Sequence, residues 1–353
     1  MSAKFAKQIQ RAIAKKYRVK TSAVKASFAI TPTLTQTLNR DLHRGSAFLG
    51  RVTIQQRRQQ TGKTLKISDG GPITKTNDTK GGNKRRPATH DAPFENEYQM
   101  RKMHTDFMMH DDDVADWSEF PNYQQLYRAA FQHRFNADRQ MIGFHGESWV
   151  ADSDLTVNPL MEDVNIGWLK QLKDRNPGNY FEGDLSGEVK IGIDAADNYA
   201  NLDAYVHAIY QMIPMHRRTP GMVVIVGEGL LAAAEGRLYT GQGETPTEKR
   251  RIEERQVIGT YGGLPAMTVD YFPDNGVLIT NLANLAIYYQ RNSWKRYVRY
   301  EPDFEWTVDY NARREAYHIR DLKAIGGAFP LKVIMTQANN FEILPKPLDN
   351  WAD

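Results

Sequence analysis

Hydrophobic residues recur at three- and four-residue steps from Pro121 to Ile142, and this spacing predicts one long amphipathic helix. Pro121 suits the first turn, where its missing N–H needs no partner, and Gly143 and Gly146 suit the exit. Such a helix spans about 33 Å. On its own the pattern is typical of a buried core helix. The apolar stripe consists of Tyr123, Leu126, Tyr127, Ala130, Phe131, Phe135 and Ile142, and the residues mostly off it are Arg128, Gln132, Arg134, Asp138 and Arg139.

The stretch from 50 to 98 contains many turn residues and few large apolar ones. Arg51–Gln56 and Thr64–Ile67 alternate in the manner of strands. Because glycines and prolines lie between and beyond them, this stretch cannot form a core of its own. The pattern predicts a projecting two-stranded loop, which is only marginally stable alone and needs a neighbour to lie on.

The rest of the chain alternates predicted helices and strands. A compact region from 199 to 285 combines a helix marked by Leu202 to Ile213 with a buried strand at Met222–Val226. The other predicted helices are 38–49, the one starting in 158–169, and 230–238, and the other predicted strands are 98–109, 189–193, 266–269, 277–280, 287–290, 317–320 and 331–335.

The first 20 residues have the pattern of a basic amphipathic helix, in which Phe5, Ile9 and Ile13 recur every fourth residue among lysines and arginines. A mitochondrial presequence has this pattern, and so does a helix that lies on a membrane surface. A helix whose apolar face is covered by a protein partner has it as well.

Composition narrows the class of protein. The 353 residues include no cysteine, which excludes disulfides and thiolate metal sites. No apolar run is long enough to span a bilayer, and the N-terminus lacks the apolar core of a secretion signal. We therefore expect a protein without a membrane partner.

The net charge of +4 is unevenly distributed. The segment before Asp41 contains nine lysines and arginines and no acidic residue. The segment from 51 to 90 contains ten lysines and arginines and two acidic residues. The sign reverses from 91 to 120, with nine acidic residues against two basic ones. Separate basic and acidic zones favour binding between copies of the chain, or nucleic-acid binding by the basic zone.

One segment resembles a dinucleotide-binding fingerprint. The strand ending at Val226 is followed by Gly227, Gly229 and Ala232 in G-x-G-x-x-A spacing. Glu228 places a negative charge where a phosphate would bind, and no strand ending in Asp or Glu follows about 20 residues later. A tight turn between strand and helix is the favoured interpretation, and a dinucleotide-dependent enzyme remains an alternative.

Other candidate sites are weaker. Gly62-Lys63-Thr64 lacks the first glycine of a phosphate-binding loop, and the histidines near Asp111 have no i+4 partner on a helix. Lys84-Arg85-Arg86 offers only sequence-independent phosphate contacts, which keeps a non-specific nucleic-acid-binding protein as a second alternative. We predict no catalytic residue, no metal and no cofactor.

The order of short motifs along the chain resembles the major capsid proteins of peduovirus-type tailed phages. The likeness extends from about Ser27 to Ala328. The motifs that carry it are Thr33–Leu38, Thr76–Gly82, Trp117–Gly146, Asn158–Leu160, Asp163–Leu169, Val223–Gly227, Leu264–Ala266, Tyr271–Pro273 and Asn284–Tyr289.

This resemblance implies an α+β fold of the Hong Kong 97 type, with an N-terminal arm, an extended loop, a peripheral domain built on a long spine helix, and an axial domain. The corresponding ranges are 1–31 for a basic N-terminal segment removed by proteolysis, 32–49 for the arm, 50–98 for the extended loop, 99–198 for the peripheral domain with its spine helix at 121–142, 199–285 for the axial domain, and 286–353 for the return to the peripheral domain and the C-terminus.

The resemblance also implies a structural function, and hence that the protein is not an enzyme. Such subunits assemble in the bacterial cytoplasm into hexamers and pentamers of the icosahedral shell, part of the virion, that encloses double-stranded DNA. The implied partners are copies of the chain, an internal scaffold, a maturation protease, the portal protein and, weakly, the packaged DNA. The candidate cleavage region is Ala29, Ile30 and Thr31.

The sign reversal near residue 90 predicts contacts between subunits, in which basic side chains of the loop pair with carboxylates of a neighbour. The candidate residues are Arg57, Arg58, Lys84, Arg85 and Arg86 on the basic side and Asp111, Asp112 and Asp113 on the acidic side. The charged segment 245–256 is assigned to the capsomer axis.

Overall fold

The computed structural model describes residues 46–66, 94–110, 123–192, 198–240 and 259–335, together with 7, 10, 11, 14, 15, 28, 29, 74, 112 and 341–343. The helices are α1 (Tyr123–His145), α2 (Trp168–Arg175), α3 (Leu202–Met212) and α4 (Glu228–Thr240). The strands are β1 (Phe28–Ala29), β2 (Thr53–Arg57), β3 (Thr61–Lys66), β4 (Phe94–Gln99), β5 (Arg101–His104), β6 (Phe107–His110), β7 (Tyr180–Phe181), β8 (Glu188–Ile191), β9 (Val223–Val226), β10 (Thr260–Tyr261), β11 (Leu264–Met267), β12 (Val277–Thr280), β13 (Leu285–Gln290), β14 (Lys295–Glu301), β15 (Trp306–Ile319), β16 (Ile325–Ala328), β17 (Lys332–Met335) and β18 (Phe341–Ile343).

The largest sheet in the described part of the chain is built around β15, a strand of 14 residues. Its strand order is β1-β14-β15-β13-β2, and β5 and β6 also pair with β15. Alternate side chains of β15 point to opposite faces of the sheet. Tyr317 packs with Trp168 of α2, whereas Ala316 belongs to a separate cluster with Tyr98 of β4.

A second sheet has the order β10-β11-β9-β12-β16-β7. All four residues of β9 are buried, because both faces of this sheet are covered. Val223 and Ile225 face the core shared with the large sheet, and Val224 and Val226 face a second core formed largely with α3. This double burial explains the continuous apolar run at this position.

A two-stranded ribbon, formed by β3 and β4, pairs antiparallel from Thr61 opposite Gln99 to Lys66 opposite Phe94. Of the two strands predicted within the loop, Thr64–Ile67 corresponds to β3, whose partner is β4. β2, by contrast, pairs in parallel with β13 in the large sheet. The sequence pattern placed 51–56 in the projecting loop, whereas the structure places that strand in the body of the subunit.

The predicted long helix is present as α1, but it ends at His145 instead of Ile142. Gly143 lies inside the helix, where a Cβ would come within 2.3 Å of the ring of Trp168. Of the described members of the predicted apolar stripe, Phe135 and Ile142 are buried as predicted. Phe131 is half-buried, and Ala130 is exposed, which contradicts the prediction for that position. The apolar stripe predicted that Arg139 lies off the buried face of the helix. This prediction was wrong, because Arg139 is completely buried.

Other elements agree with the sequence patterns to within a few residues: α2, α3, β8, β9, α4, β11, β12, β13 and β17. The single strand predicted over 98–109 is three shorter strands, β4, β5 and β6. The short helix predicted over 38–49 lies mostly outside the described residues, and a 3-10 turn at Leu49–Arg51 occupies its end. The strand predicted at 317–320 is the last part of β15.

The N-terminal segment contacts the large sheet. Among its described residues, 7, 10, 11, 14 and 15 are helical, as the basic amphipathic pattern predicted. The side chain of Gln10 donates a hydrogen bond to the carbonyl of Val298 at 3.0 Å, and β1 pairs with Lys295 and Arg296. Both contacts lie on β14. None of the described helices is long and apolar enough to cross a membrane.

Candidate functional site

The root of the ribbon is fixed to the body by hydrogen bonds to main-chain carbonyls. Asn96 of β4 donates from Nδ2 to the carbonyl of Ile319 at 2.7 Å. Arg175, the last residue of α2, donates from Nη1 to Asn96 Oδ1 and to the carbonyl of Glu97 at 2.7 Å. Hydrogen bonds from a charged donor are stronger than neutral ones. These links set the position from which the ribbon leaves the subunit.

Aromatic rings lie beneath this root. Tyr98 packs edge-on against Tyr288, with ring centroids 5.0 Å apart, and His318 lies 5.0 Å from Tyr288. The guanidinium of Arg57 lies 4.6 Å from the centroid of the Tyr288 ring, a cation–π distance. Arg57 was a candidate for contact with another subunit, and the structure shows it in this contact within its own subunit.

His318 is fully buried at the ribbon root. Burial lowers its pKa, and the positive charges of Arg175, Arg57 and Arg320 lower it further, to about 3. Neither ring nitrogen has a hydrogen-bond partner among the described residues. The imidazole is therefore neutral at physiological pH, and its protonation would add a fourth positive charge to a group of three arginines.

A buried ion network fixes the long helix to the sheet. Arg139 of α1 donates from Nε to Glu315 Oε2 at 3.2 Å, and Arg313 Nε lies 3.0 Å from Glu315 Oε1. Burial by itself would raise the pKa of Glu315, but the two arginines bring it down to about 2. Both guanidiniums also lie over Phe135, at 4.4 and 4.2 Å from its centroid.

Two close approaches of backbone hold α1 against α2. A Cβ on Gly146 would lie 2.2 Å from the carbonyl oxygen of Asn165, and one on Gly167 would lie 2.5 Å from that of Ile142. Gly167 N donates to the carbonyl of Gly146 at 2.8 Å. Glycine at both positions permits this contact, which places Trp168 against the end of the helix.

The G-x-G-x-x-A turn is closed by the subunit's own backbone. Gly227 N donates to the carbonyl of Gly276 at 2.9 Å, and Leu230 N donates to that of Asp274 at 3.2 Å. A phosphate needs free N–H groups at a helix N-terminus, and here two of them are occupied. The favoured interpretation as a tight turn agrees with this geometry.

The predicted contact residues are only partly described. Arg58 and Asp112 are exposed, and Ala29 lies in β1 opposite Lys295. The remaining candidates lie outside the described residues: Ile30, Thr31, Lys84, Arg85, Arg86, Asp111 and Asp113. Among the described residues no group of three His, Asp or Glu side chains is arranged to hold a metal ion.

Comparison with known proteins identifies the family. The family model described as "Phage major capsid protein, P2 family" matches residues 5–327. The chain belongs to this family of phage major capsid proteins. It is 30% identical over 311 residues to the capsid proteins of Escherichia phage P2, covering 85% of this chain and 86% of that one. It is 28% identical over 310 residues to the major capsid protein of Serratia phage KSP20, covering 86% and 89% of the two chains.

A solved structure gives the fold. The procapsid of satellite phage P4, which includes the size determination (Sid) protein, contains a chain that matches with a TM-score of 0.73 at 29% identity, covering 88% of this chain and 95% of that one. The fold is thus the mixed α/β Hong Kong 97-like capsid fold. The protein is the structural subunit of the icosahedral head of a P2-like tailed phage, located in the virion. Family membership excludes the alternative of a dinucleotide-dependent enzyme.

Several residues that shape the site had no sequence motif to identify them. Asn96, Arg175 and His318 meet at the ribbon root although 79 residues separate the first two. Arg139 and Glu315 are separated by 176 residues. A single sequence offers no signal for such pairs, apart from the presence of an arginine beside an otherwise apolar helix face.

Proposed function

We propose that this subunit assembles into hexamers and pentamers and that its ribbon lies over a neighbouring subunit in the shell. The observation that carries the proposal is the ribbon itself, which has its own ladder and is fixed at its root by Asn96 and Arg175. A two-stranded ribbon is marginally stable alone. The surface of a neighbour would stabilise it, and the fixed root would aim it at the same place in every copy.

Each range of the chain corresponds to one part of the family's capsid fold. Residues 50–98 act as the extended loop, except that β2 also belongs to the large sheet. The region 99–198 with α1 forms the peripheral domain, and 199–285 forms the axial domain. The separate core that α3 shares with β9 supports the axial assignment. Residues 286–353 return to the large sheet through β13, β14 and β15, residues 32–49 form the arm, and the charged segment 245–256, outside the described residues, lies at the capsomer axis.

Electrostatic pairing sets the register between neighbours. Lys84, Arg85 and Arg86 of one subunit meet Asp111, Asp112 and Asp113 of the next, with Arg58 as an exposed addition. Each exposed pair contributes less than about 1 kcal/mol. Because the pairs recur at every interface of the shell, their summed contribution to assembly is large. Salt screens the charges, so this contribution falls as the salt concentration rises.

The test of this pairing is charge reversal in the full chain. The triple variant with Lys84, Arg85 and Arg86 each replaced by Glu should assemble poorly, as measured by sedimentation and electron microscopy. Replacing Asp111, Asp112 and Asp113 by Lys in the same chain should restore assembly. Lys323→Glu, at another exposed position, serves as the control. Normal assembly and unchanged salt sensitivity of the triple variant would show that the pairing is wrong.

The N-terminal segment acts during assembly and is then removed near Ala29, Ile30 and Thr31. The segment contacts β14 through Gln10 and through the Phe28–Ala29 strand. These contacts support a role in stabilising the subunit before assembly. A protease requires its substrate in an extended and accessible form, so β1 must leave the sheet edge before cleavage. Mass spectrometry of subunits from mature heads should find an N-terminus close to residue 31. An intact N-terminus would contradict the proposal.

Further partners are an internal scaffold, a maturation protease and the portal protein. The absence of acidic residues before Asp41, where nine basic ones lie, supports an acidic partner for this segment. Contact with packaged double-stranded DNA would be weak and non-specific. Retention of the unassembled subunit on DNA should accordingly fall steeply with salt.

A further inference from the structure

A cleft separates the middle of α1 from the start of α4 and from the segment that follows β11. Its volume is about 590 Å³. Asn136 and Gln140 line it from α1, and Glu228 and residues 267–271 line it from α4 and from the end of β11. Residues 46–48 complete the lining. A cleft of this size accommodates a small ligand or one long side chain.

The cleft is acidic. Glu228 and Asp270 line it, and both side chains are exposed. Among the residues that the structure describes, neither carboxylate has an ion-pair partner, and no lysine or arginine lines the cleft. Glu228 lies in the first turn of α4, where the positive end of the helix dipole favours a carboxylate. Asp270 lies in a turn outside any helix and has no such support.

Gln140 gives a second and independent indication of a ligand. Its side chain is 4% exposed, and its Nε2 donates to Ser46 Oγ at 3.1 Å. Its Oε1 is also buried and accepts no hydrogen bond from any described residue. A buried acceptor without a donor costs free energy, and such groups are rare in folded proteins. A donor bound in the cleft would satisfy this oxygen.

The lining favours a ligand that donates hydrogen bonds and is positively charged. Two carboxylates and an amide oxygen accept hydrogen bonds, whereas ammonium and guanidinium groups only donate them. Phe48, Met267 and Val269 line the same cleft, and they can pack against the hydrocarbon stem that carries such a group. A metal ion fits less well, because no group of three His, Asp or Glu side chains in the described part of the chain is arranged to hold one.

We propose that this cleft binds an alkyl chain that ends in a primary ammonium or guanidinium group. Glu228 and Asp270 pair with the charge, and Gln140 Oε1 accepts one of its hydrogen bonds. The group belongs either to a free amine or to a lysine or arginine side chain of another molecule, and the site recognises the same chemistry in both. Because the ligand contacts α1, α4 and the segment after β11 together, its binding stabilises the folded subunit. The inference does not depend on how the ribbon packs in a shell.

Ligand-observed NMR titration of the unassembled full chain with butylammonium and butylguanidinium chloride tests the site directly. We expect both cations to bind at one site and neutral butanol not to bind. Asp270→Asn and Glu228→Gln should each weaken the affinity at least about tenfold, because a charged hydrogen-bond partner is lost. Both side chains are exposed, so both variants should fold. The absence of binding, or equal binding of butanol, would overturn the inference.

The matched control is Asp152→Asn, at an exposed position that does not line the cleft. This variant should keep the affinity of the unsubstituted chain. Equal weakening by Asp270→Asn and Asp152→Asn would indicate a general effect of surface charge and would overturn the inference. Displacement of the amine by magnesium chloride at constant ionic strength would overturn it as well, since that result assigns the cleft to a metal ion.

Gln140→Glu tests the unpaired oxygen. The variant places a third carboxylate in the cleft, so its affinity for butylammonium should rise. The buried charge should lower the melting temperature, and butylammonium should raise it by more than in the unsubstituted chain. An affinity that falls or stays the same would show that Gln140 does not contact the ligand, which contradicts the site as proposed.

A photo-crosslinker identifies the source of the cation. Benzoylphenylalanine replaces Thr268, an exposed residue that lines the cleft, and assembled shells of the full chain are irradiated. An adduct with a lysine- or arginine-containing peptide of another molecule identifies a side chain as the ligand, and the absence of an adduct identifies a free amine. An adduct within the same chain would overturn the inference, because the subunit's own residues would then occupy the cleft.

Discussion

Arg139 of the long helix and Glu315 of the central strand form an ion pair in which both side chains are completely inaccessible to solvent. The second arginine, Arg313, shares the same carboxylate. Removing one member of a buried pair leaves a charge without compensation, which costs more than the intact pair contributes. The pair thus holds the helix to the sheet in one orientation.

The first prediction concerns this carboxylate. Glu315→Gln leaves Arg139 and Arg313 buried without their counter-charge, so the free energy of unfolding should fall by about 3–5 kcal/mol. Urea denaturation of the unassembled subunit measures it. Lys170→Gln, which breaks the pair with Asp174 on α2, where both side chains are partly exposed, is the control and should cost less than about 1 kcal/mol. Equal effects of the two substitutions would contradict the role of the buried network.

The second prediction concerns pH. The pKa of His318 is about 3 in the folded subunit, against 6.5 for an unperturbed histidine. Between these values the unfolded chain binds a proton that the folded one does not, so this group's contribution to stability is present above pH 6.5 and is lost as the pH falls toward 3. His318→Phe keeps an aromatic ring and removes the titration. Melting temperatures recorded against pH should therefore fall less steeply for the variant over this range, and parallel curves would show that His318 is not responsible.

The third prediction concerns the ribbon root. Asn96→Ala removes the bonds to the Ile319 carbonyl and to Arg175, and leaves buried polar groups unpaired at a cost of about 1–3 kcal/mol. Hydrogen exchange in residues 94–99 should accelerate. Lys63→Gln removes the exposed ion pair with Glu97 at 3.3 Å and should leave exchange unchanged. Slow exchange in the Asn96 variant would mean that the ribbon is held by other contacts.

The fourth prediction concerns Gly143. Glycine within a helix normally costs stability relative to alanine, so Gly143→Ala would ordinarily be stabilising. Here the added Cβ meets the ring of Trp168 at 2.3 Å, and overpacking should lower the free energy of unfolding by about 1–3 kcal/mol. Gly178→Ala is the control, because the nearest atom to its added Cβ would be 3.8 Å away and alanine causes no clash there. A more stable Gly143→Ala variant would contradict the packing described.

Local patterns predicted those elements whose burial is repeated along the chain. β9 was recognisable because both of its faces are buried, and α3 because Tyr205, Val206 and Ile209 lie on one buried side. β14 was missed, since only Val298 among its seven residues is buried. Its strand structure depends on pairing with β15, which local sequence does not reveal.

The functional features divide in the same way. The unequal distribution of charge and the weak core of the loop were visible in the sequence and pointed toward self-association. The sequence did not reveal that Arg139 is buried, because its partner Glu315 lies far along the chain. Arg57 was predicted to contact another subunit because its charge was visible in the sequence, whereas its contact with the ring of Tyr288 in the same subunit was not.

β15 gives the long helix and the ribbon a common mechanical support. Glu315 and Tyr317 point toward the helices, whereas Ala316 and His318 point toward the ribbon root. Neighbouring residues of one strand therefore contact the long helix on one face and the ribbon on the other. A strand with paired neighbours on both sides resists bending. Asn96 of the ribbon donates to the carbonyl of Ile319 on the strand whose Glu315 holds Arg139, so a displacement of the ribbon would reach the long helix through β15.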